Sequence, residues 1–227
     1  MSETRNLVIV GAGGFGSEVL WVAHDMNETG TQEFRWNVLG FADDNPNRKG
    51  ETYEDLPILG TTEEVARDLG AGTWFHGAIG ANRQRQKVAI FLESRGLRPA
   101  TLVHSSVVIG PDASIGEGTY VGALTVIAPQ AVIGRHVLIN TQVGVGHHSV
   151  TGDFAQLCPG AKLNGGCILD RLAFVGSNAV IHPYKRVGEG ATVGSSSYVI
   201  RSVEPHVTVM GVPARIISKP ATDGSTA

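Results

Sequence analysis

Residues 107–134 read VVIGPDASIGEGTYVGALTVIAPQAVIG, and the six-residue register that runs through them continues to about Ile200. One position of each unit is aliphatic in fifteen of sixteen units, and glycine often follows it. These positions are Ile109, Ile115, Val121, Ile127, Ile133, Ile139, Val145, Thr151 (the exception), Leu157, Leu163, Leu169, Val175, Ile181, Val187, Val193 and Val199. A unit too short to bury its own apolar residue must stack on its neighbours, so the pattern predicts a parallel β-helix.

Composition is that of an ordinary globular protein. Of the 227 residues, 42% are hydrophobic and 17% are charged, the net charge is −3, and no block of Lys or Arg occurs. These values argue against a nucleic-acid-binding surface. The N-terminus lacks the features of a signal peptide, and no apolar run is long enough to span a membrane. We therefore expect a cytoplasmic protein without membrane insertion, in which Cys158 and Cys167 are buried free thiols.

The first hundred residues predict a different architecture. An apolar strand leads into the glycine-rich segment GAGGFG (residues 11–16), and a helical pattern follows. The predicted strands of this region cover residues 7–10, 38–42 and 73–79. Strands that alternate with helices indicate a Rossmann-like α/β domain with a parallel sheet. We expect this domain to occupy residues 1–100 and the β-helix to occupy residues 101–217, followed by a disordered tail at 218–227.

The glycine-rich segment is the candidate nucleotide site. Glycine permits positive φ angles and close backbone approach, and the helix N-terminus offers N–H groups to a phosphate. The same GxGxxG turn also serves plain helix–sheet packing. Asp43 and Asp44 end the second strand, where a carboxylate can accept hydrogen bonds from a nucleotide. The domain has room for one mononucleotide-sized half of the full fold, which favours a nucleotide attached to another group over a dinucleotide cofactor.

Two adjacent histidines, His147 and His148, stand in the middle of the repeats. The β-helix needs small or aliphatic residues inside, so it does not require these side chains. A surface role stays open for any single histidine. A neutral imidazole is nevertheless the natural general base for an acyl transfer.

Several segments, taken in order, resemble one bacterial family. They are GAGGFG at 11–16, FADD at 41–44, AIGANRQR at 78–85, LVHSS at 102–106, LINT at 138–141, GHHSVTGDF at 146–154, PGAKLNGG at 159–166 and GVPAR at 211–215. Together they are similar to the bacterial sugar O-/N-acyltransferases, left-handed β-helix proteins that include sialic acid O-acetyltransferases and nucleotide-linked 4-amino-sugar N-acetyltransferases. The similarity covers residues 7 to about 217. It implies triangular coils of three units, or eighteen residues.

The resemblance also implies a homotrimer that binds acetyl-CoA between neighbouring β-helices and a nucleotide-linked amino sugar on the N-terminal domain, without a metal ion. The family's catalytic base is a His seven residues before an aromatic residue, which is His147 counted back from Phe154. The next residue in the family is usually acidic. His148 can accept a hydrogen bond but supplies no negative charge, so we expect His147 to be a weaker base than in its relatives. Gly165 should stack over His147 and place an N–H where an oxyanion forms.

Position-matching to the family gives the remaining candidates. The expected sugar-nucleotide contacts are Gly13, Gly14, Phe15, Asp43, Asp44 and Gly80. The expected acetyl-CoA contacts are Gln156, Gly165, Ser177 and Ser195. Many relatives have His where this chain has Phe15, which leaves that contact open. Asn140 is a candidate substrate ligand, and an inward Asn in a polar ladder is an equally good interpretation.

We therefore expect an acetyl-CoA-dependent N-acetyltransferase of a nucleotide-linked 4-amino-dideoxy sugar, in the synthesis of lipopolysaccharide, another surface glycan or a glycoprotein. An O-acetyltransferase of sialic acid or another sugar shares the base and the donor. A zinc enzyme of the β-helix carbonic anhydrase type needs three His ligands, and no third His lies a few residues beyond His182. A non-catalytic sensing module would explain His148 in place of an acid. The sequence leaves open the nucleobase, the sugar, the position of its amine and the acyl chain length.

Overall fold

The computed structural model describes residues 3–30 and 32–218, and the chain changes architecture at about residue 100. Ser218 ends the last strand, so the predicted tail lies outside the described residues from residue 219 onward. Both cysteines are free, and Cys167 is buried whereas Cys158 is half-buried.

The N-terminal domain is a six-stranded sheet with helices on both faces. Its strand order is β3-β4-β2-β1-β5-β6, and all neighbours are parallel except β3 and β4. The elements are β1 (Glu3–Val10), α1 (Gly14–Thr29), β2 (Phe34–Ala42), β3 (Thr52–Tyr53), β4 (Leu56–Gly60), α2 (Thr62–Asp68), β5 (Trp74–Gly77), α3 (Asn82–Ser94) and β6 (Arg98–Pro99). Alternation along β1 directs Leu7 and Ile9 toward α1, and directs Val8 and Val10 toward α2 and α3.

The β-helix consists of two-residue strands that recur every six residues from Leu102 to Val199, followed by two longer strands that pair antiparallel. They are β7 (Leu102–Val103), β8 (Val108–Ile109), β9 (Ser114–Ile115), β10 (Tyr120–Val121), β11 (Val126–Ile127), β12 (Val132–Ile133), β13 (Leu138–Ile139), β14 (Gly144–Val145), β15 (Val150–Thr151), β16 (Gln156–Leu157), β17 (Lys162–Leu163), β18 (Ile168–Leu169), β19 (Phe174–Val175), β20 (Val180–Ile181), β21 (Arg186–Val187), β22 (Thr192–Val193), β23 (Tyr198–Val199), β24 (Thr208–Gly211) and β25 (Ala214–Ser218). The regular units begin one unit before the predicted start near Val107.

From β7 to β20, each strand pairs in parallel with the strand eighteen residues further on, so a coil holds three strands, as the family resemblance implies. The first face contains β7 and every third strand up to β22, with β24 and β25 added; the second face starts with β8 and the third with β9. We name the turns between successive faces the first corner (first to second face), the second corner (second to third) and the third corner (third to first). Coils are numbered from β7, so coil 3 contains β13, β14 and β15.

The predicted aliphatic positions point into the β-helix. From Val121 to Val199 each of them, Thr151 included, is at most 2% exposed. The small residues two positions earlier, such as Ala155 and Ala173, complete one continuous core. The last coil is shorter, because Thr192 pairs with Thr208 only sixteen residues on. This change of spacing explains why the sequence register fades after Ile200.

The N-terminal domain packs on the first face, on the first corner at coil 1 and on the third corner. Tyr120 points outward from the first face and is buried against the α1 side of the sheet. At the first corner, Asp25 accepts hydrogen bonds from the N–H and the hydroxyl of Ser105, at 2.7 and 2.8 Å. At the third corner, Phe154 and Leu172 are buried in the cluster that contains α3. The second corner lies on the opposite side of the triangular coil.

Arg85 of α3 joins the two domains at the third corner. The side chain is 2% exposed and donates hydrogen bonds to the carbonyls of Ile79 (2.9 Å), His136 (3.3 Å) and Phe154 (2.9 Å), and to Asn82 Oδ1 (3.0 Å). Burial lowers the pKa of Arg85 to about 9, so the guanidinium stays charged at neutral pH. One cation therefore satisfies carbonyls from both domains, a role that the sequence analysis missed.

Candidate active site

His147 and His148 lie at the second corner of coil 3, between β14 and β15. His148 takes the left-handed position of the turn, with a φ of 57°. The two Nδ1 atoms are 2.9 Å apart, and the rings are nearly perpendicular at 89°. One hydrogen is shared between these nitrogens. When His147 Nδ1–H donates to His148 Nδ1, His147 Nε2 keeps its lone pair and is free to accept a proton from a substrate.

Gly165 of coil 4 stacks on the His147 ring, as the eighteen-residue spacing predicts. A Cβ on residue 165 would overlap with the imidazole, so any other residue there would displace the His147 ring. The Gly166 N–H donates to the His147 carbonyl over 2.8 Å and fixes the two coils relative to each other. Among the described residues, the Gly165 N–H has no hydrogen-bond partner. This N–H is therefore available to an oxyanion beside the base.

A groove of about 290 Å³ runs along the second face beside Gly165. Its lining is small or aliphatic apart from Asn164 and Lys162. The Lys162 stem crosses Gly144, and its ammonium group donates to the Gln142 carbonyl. The groove lies along coils 2 to 4 and reaches Gly146 and Gly165, next to His147.

In the glycine-rich turn, two glycines are packed tightly against neighbouring backbone and two others face open space. Gly11 has a φ of 118°, and a Cβ there would overlap with the Ala78 carbonyl; a Cβ on Gly16 would overlap with the Gly11 carbonyl. At Gly13 and Gly14, a Cβ would meet nothing within 4 Å. Gly13 begins α1 without a side-chain cap, and the first helical turn has no acidic residue. Open space and uncapped helix N–H groups suit a phosphate at this turn.

Asp43 and Asp44 differ in how many of their carboxylate oxygens accept hydrogen bonds within the protein. Asp43 Oδ2 accepts from Arg48 Nη1 at 2.8 Å, and Oδ1 accepts from the Asn45 N–H at 2.9 Å. Asp44 Oδ1 accepts from the Thr62 N–H at 2.9 Å, whereas Oδ2 has no partner among the described residues. Both side chains line a cavity of about 170 Å³ at the carboxyl ends of β1 and β2. Asp44 is thus the acid with an oxygen free for a ligand.

Arg48, which the sequence analysis missed, holds Asp43 from outside this cavity. Its Nη1 also donates to the Ala12 carbonyl at 2.8 Å, and its Nε pairs with Glu51 at 3.0 Å. A single Arg in a connecting segment has no periodic pattern that could reveal such a contact. Arg48 joins the glycine-rich turn to the end of β2 and holds Asp43 in place.

Gly80 lies beside open space, whereas Phe15 packs against the β-helix. Gly80 follows β5 at the same end of the sheet, and a Cβ there would meet nothing within 4 Å. The Phe15 ring packs edge-on against Tyr120 of the first face, with centroids 5.2 Å apart. Phe15 is half-buried between the two domains. Its side chain is therefore a packing group between the two domains.

Two buried polar groups lie behind Phe15. His76 Nδ1–H donates to the Ala100 carbonyl at 3.0 Å, and neither His76 Nε2 nor Tyr120 Oη has a partner among the described residues. Burial lowers the pKa of His76 to about 4 and raises the pKa of Tyr120. Both side chains are therefore uncharged at neutral pH.

The other predicted contacts lie away from the second corner. Ser177 and Ser195 stack at the first corner in coils 5 and 6. Asn140 is at the first corner of coil 3, where its Oδ1 accepts the next backbone N–H at 2.9 Å. Gln156 is buried on the first face. Within one chain, the structure does not bring these four residues next to His147, because the second face separates the two corners.

Within residues 3–30 and 32–218, no three His, Cys, Asp or Glu side chains are grouped as metal ligands. None of the helices in that part of the chain is both long and apolar enough to cross a bilayer.

Comparison with known proteins identifies relatives for both domains. Residues 6–91 match the family described as the PglD N-terminal domain. The GDP-perosamine N-acetyltransferase of Escherichia coli O157:H7 is 30% identical over 220 residues, which cover 94% of this chain and 97% of that protein.

Solved structures agree over the same length. PerB from Caulobacter crescentus, in complex with CoA and GDP-perosamine, superposes with a TM-score of 0.82 at 29% identity, covering 94% of this chain and 97% of that one. The acetyltransferase domain of PglB from Neisseria gonorrhoeae, in complex with acetyl coenzyme A, superposes with a TM-score of 0.84 at 26% identity, covering 94% and 100%. The predicted left-handed β-helix and the α/β domain before it are confirmed. The chain belongs to the left-handed β-helix family of sugar acyltransferases that includes the GDP-perosamine N-acetyltransferases.

Proposed function

We propose that the chain transfers the acetyl group of acetyl-CoA to the amino group of a nucleotide-linked 4-amino-dideoxy sugar. The observation that carries this proposal is the arrangement of His147, with Nδ1 against His148 and its ring against Gly165, at an uncovered corner. The relative that acetylates GDP-perosamine, and PerB in complex with CoA and GDP-perosamine, support this choice of substrates. GDP-perosamine is therefore the first acceptor to test.

In the proposed reaction, His147 is the general base. The sugar amine attacks the thioester carbonyl, and His147 Nε2 takes a proton from the nitrogen as the C–N bond forms. The Gly165 N–H donates a hydrogen bond to the oxyanion of the tetrahedral intermediate. When the intermediate collapses, the C–S bond breaks and the amide forms. The CoA thiolate leaves and takes the proton from His147.

His148 is the proposed positioning residue for the base. Its Nδ1 accepts the His147 Nδ1–H and so directs Nε2 toward the substrate. A neutral imidazole offers no negative charge to the imidazolium that forms on His147 in the transition state. We expect the reaction class to be retained and the rate to be lower than with an acidic residue at this position.

The separation of the candidates supports a proposed homotrimer. Ser177 and Ser195 lie at the first corner, whereas His147 lies at the second, across the triangle from the nucleotide domain. A site that uses all of them needs the first corner and the N-terminal domain of one copy beside the second corner of another. Three copies related by a three-fold axis close this head-to-tail contact. Exposed aliphatic side chains on the second and third faces, among them Val126 and Val132, would supply apolar interface.

Both substrates are cytoplasmic metabolites, so we propose that the chain acts in the cytoplasm.

Release of free CoA thiol from acetyl-CoA tests the proposal. The acceptors are GDP-, UDP- and dTDP-linked 4-amino-4,6-dideoxy sugars and free sialic acid, with an acceptor-free reaction as the control for thioester hydrolysis. Release that depends on one amino sugar is the expected result, and it names the nucleotide as well. Release with sialic acid alone would replace the proposal by O-acetylation, and no release above the control would contradict both.

A further inference from the structure

Tyr184 is an exposed aromatic residue at the corner that carries the base. It lies at the second corner of coil 5, in the same left-handed turn position as His148 in coil 3 and Gly166 in coil 4. Its φ is 59°, and 75% of the residue's surface is exposed. The left-handed conformation is unfavourable for a residue with a Cβ. Residues of many types take this conformation at the corners of the β-helix, so the distinguishing feature of Tyr184 is a large exposed ring at the corner of His147.

The Tyr184 ring leans toward the catalytic coil. A Cβ on Gly166 would overlap with this ring, just as a Cβ on Gly165 would overlap with the His147 imidazole. The Gly165–Gly166 dipeptide therefore lies between the two rings, and the Tyr184 N–H donates to the Gly165 carbonyl at 3.0 Å. Neighbouring coils are about 5 Å apart, so the phenol ring stands about one coil spacing beyond the proposed oxyanion site.

Packing within the chain does not account for this ring. Of the other large apolar side chains at left-handed turn positions, Phe154 and Leu172 are buried at the third corner beneath α3, whereas Leu124 is exposed at the first corner. His182, two residues before Tyr184, is held elsewhere, with Nδ1 2.8 Å from Tyr198 Oη. Tyr184 is thus directed at the site while most of its surface lacks a partner.

We propose that Tyr184 binds the pantetheine arm of acetyl-CoA and thereby sets the affinity for the donor. This inference rests on the proposed function, in which Gly165 of coil 4 receives the thioester and the serines of coils 5 and 6 contact the rest of the donor. A chain that runs between these points passes coil 5, where Tyr184 stands. The arm consists of methylene and methyl groups with two amides. An aromatic ring packs on the former, and its hydroxyl can hydrogen-bond to the latter.

The test compares Tyr184→Gly and Tyr184→Phe with Leu124→Gly. Leu124 has the same left-handed conformation (φ 60°) and is 62% exposed, but it lies at the first corner of coil 2. We expect Tyr184→Gly to weaken CoA binding in calorimetry, and to raise KM for acetyl-CoA, about tenfold through lost apolar contact, or about 1.4 kcal/mol. KM for the acceptor should not change. The Tm should hold or rise, because glycine relieves the backbone. Tyr184→Phe should keep most of the affinity, and Leu124→Gly should keep all of it.

Three results would overturn the proposal. Unchanged CoA affinity in Tyr184→Gly would exclude a donor contact, and a rise confined to the acceptor KM would make Tyr184 a sugar contact. A fall in Tm that Leu124→Gly does not share would make its role structural. The calorimetry needs no acceptor, so a wild-type chain that binds CoA but acetylates no amino sugar would contradict the proposed function and leave this inference standing. A wild-type chain that does not bind CoA would contradict both the proposed function and this inference.

Discussion

The second and third corners of the β-helix share one backbone and differ in what covers them. Left-handed turn positions stack every eighteen residues at both, and they are occupied by His148, Gly166 and Tyr184 at the second corner and by His136, Phe154 and Leu172 at the third. The third-corner side chains are buried beneath α3, whereas His148 and Tyr184 are exposed. The repeat thus supplies equivalent positions, and the covering domain decides which corner is left for chemistry.

One residue type shows the difference directly. His136 is buried, stacks on Phe154 with centroids 4.9 Å apart, and places Nε2 2.6 Å from Glu93 Oε1. Burial lowers the pKa of His136, although the hydrogen bond to Glu93 acts in the opposite direction. His148 has the same backbone conformation, is exposed, and contacts the proposed base instead. A histidine in the same turn position is a structural link at one corner and the proposed positioning residue of the base at the other.

Removal of the base is expected to have the largest effect. His147→Ala should lower kcat about 10² to 10⁴-fold, the usual contribution of a general base. The free energy of unfolding should change by less than about 0.5 kcal/mol, because the side chain is exposed. The matched control is His206→Ala, which removes an exposed histidine with a φ of 60° from the last coil and should leave kcat intact. Unchanged kinetics in His147→Ala would remove this residue from the mechanism.

At the third corner, the expected effect is on stability. Arg85→Met should lower the free energy of unfolding by about 3 kcal/mol, because several buried carbonyls lose their donor. Urea denaturation measures this value. Arg83→Met changes an exposed residue of the same helix and should cost less than about 0.5 kcal/mol. Equal losses in both variants would show that Arg85 does not join the domains.

Substitutions of Asp43 and Asp44 are expected to differ in effect, because both oxygens of Asp43 are hydrogen-bonded within the protein and one oxygen of Asp44 is free. Asp44→Asn keeps an oxygen for the Thr62 N–H but replaces the free oxygen, so KM for the nucleotide sugar should rise about tenfold. Asp43→Asn should chiefly lower stability, by about 1 kcal/mol, because Arg48 loses a charged partner. KM for acetyl-CoA should stay constant in both variants. A change confined to the donor would mean that the domains bind the opposite ligands.

A smaller change sharpens the role of the second histidine. His148→Asp should raise kcat about fivefold, because a carboxylate stabilises the imidazolium on His147. His148→Asn is the matched control, since asparagine tolerates the left-handed turn but carries no charge. A gain shared by both variants would point to turn geometry, and a loss in His148→Asp would contradict the positioning role.

Periodic features of this chain could be predicted from its sequence, and single long-range contacts could not. In a repeating core, the spacing alone determines which residues point inward and which residues stack on each other. Gly165 could therefore be placed over His147 from the sequence. The contacts of Arg85 reach carbonyls 51 and 69 residues away, and no local pattern encodes such distances. The difference between Asp43 and Asp44 depends on which neighbour, Arg48 or the start of α2, lies nearer in the folded chain.

The N-terminal end of the stack has a consequence for the length of the protein. In the described part of the chain, β8 and β9 pair on one side only, and Val108 and Ile109 are 60% and 46% exposed. These free edges are two residues long and are interrupted by corners, so they offer no continuous row of groups for fibril-like growth. A coil inserted at this end would have to preserve the contacts of coil 1 with α1, such as the Asp25–Ser105 hydrogen bonds, but it would alter no contact among coils 2 to 6. The β-helix can therefore be lengthened, by gene duplication or by design, without a change at the corner that carries His147.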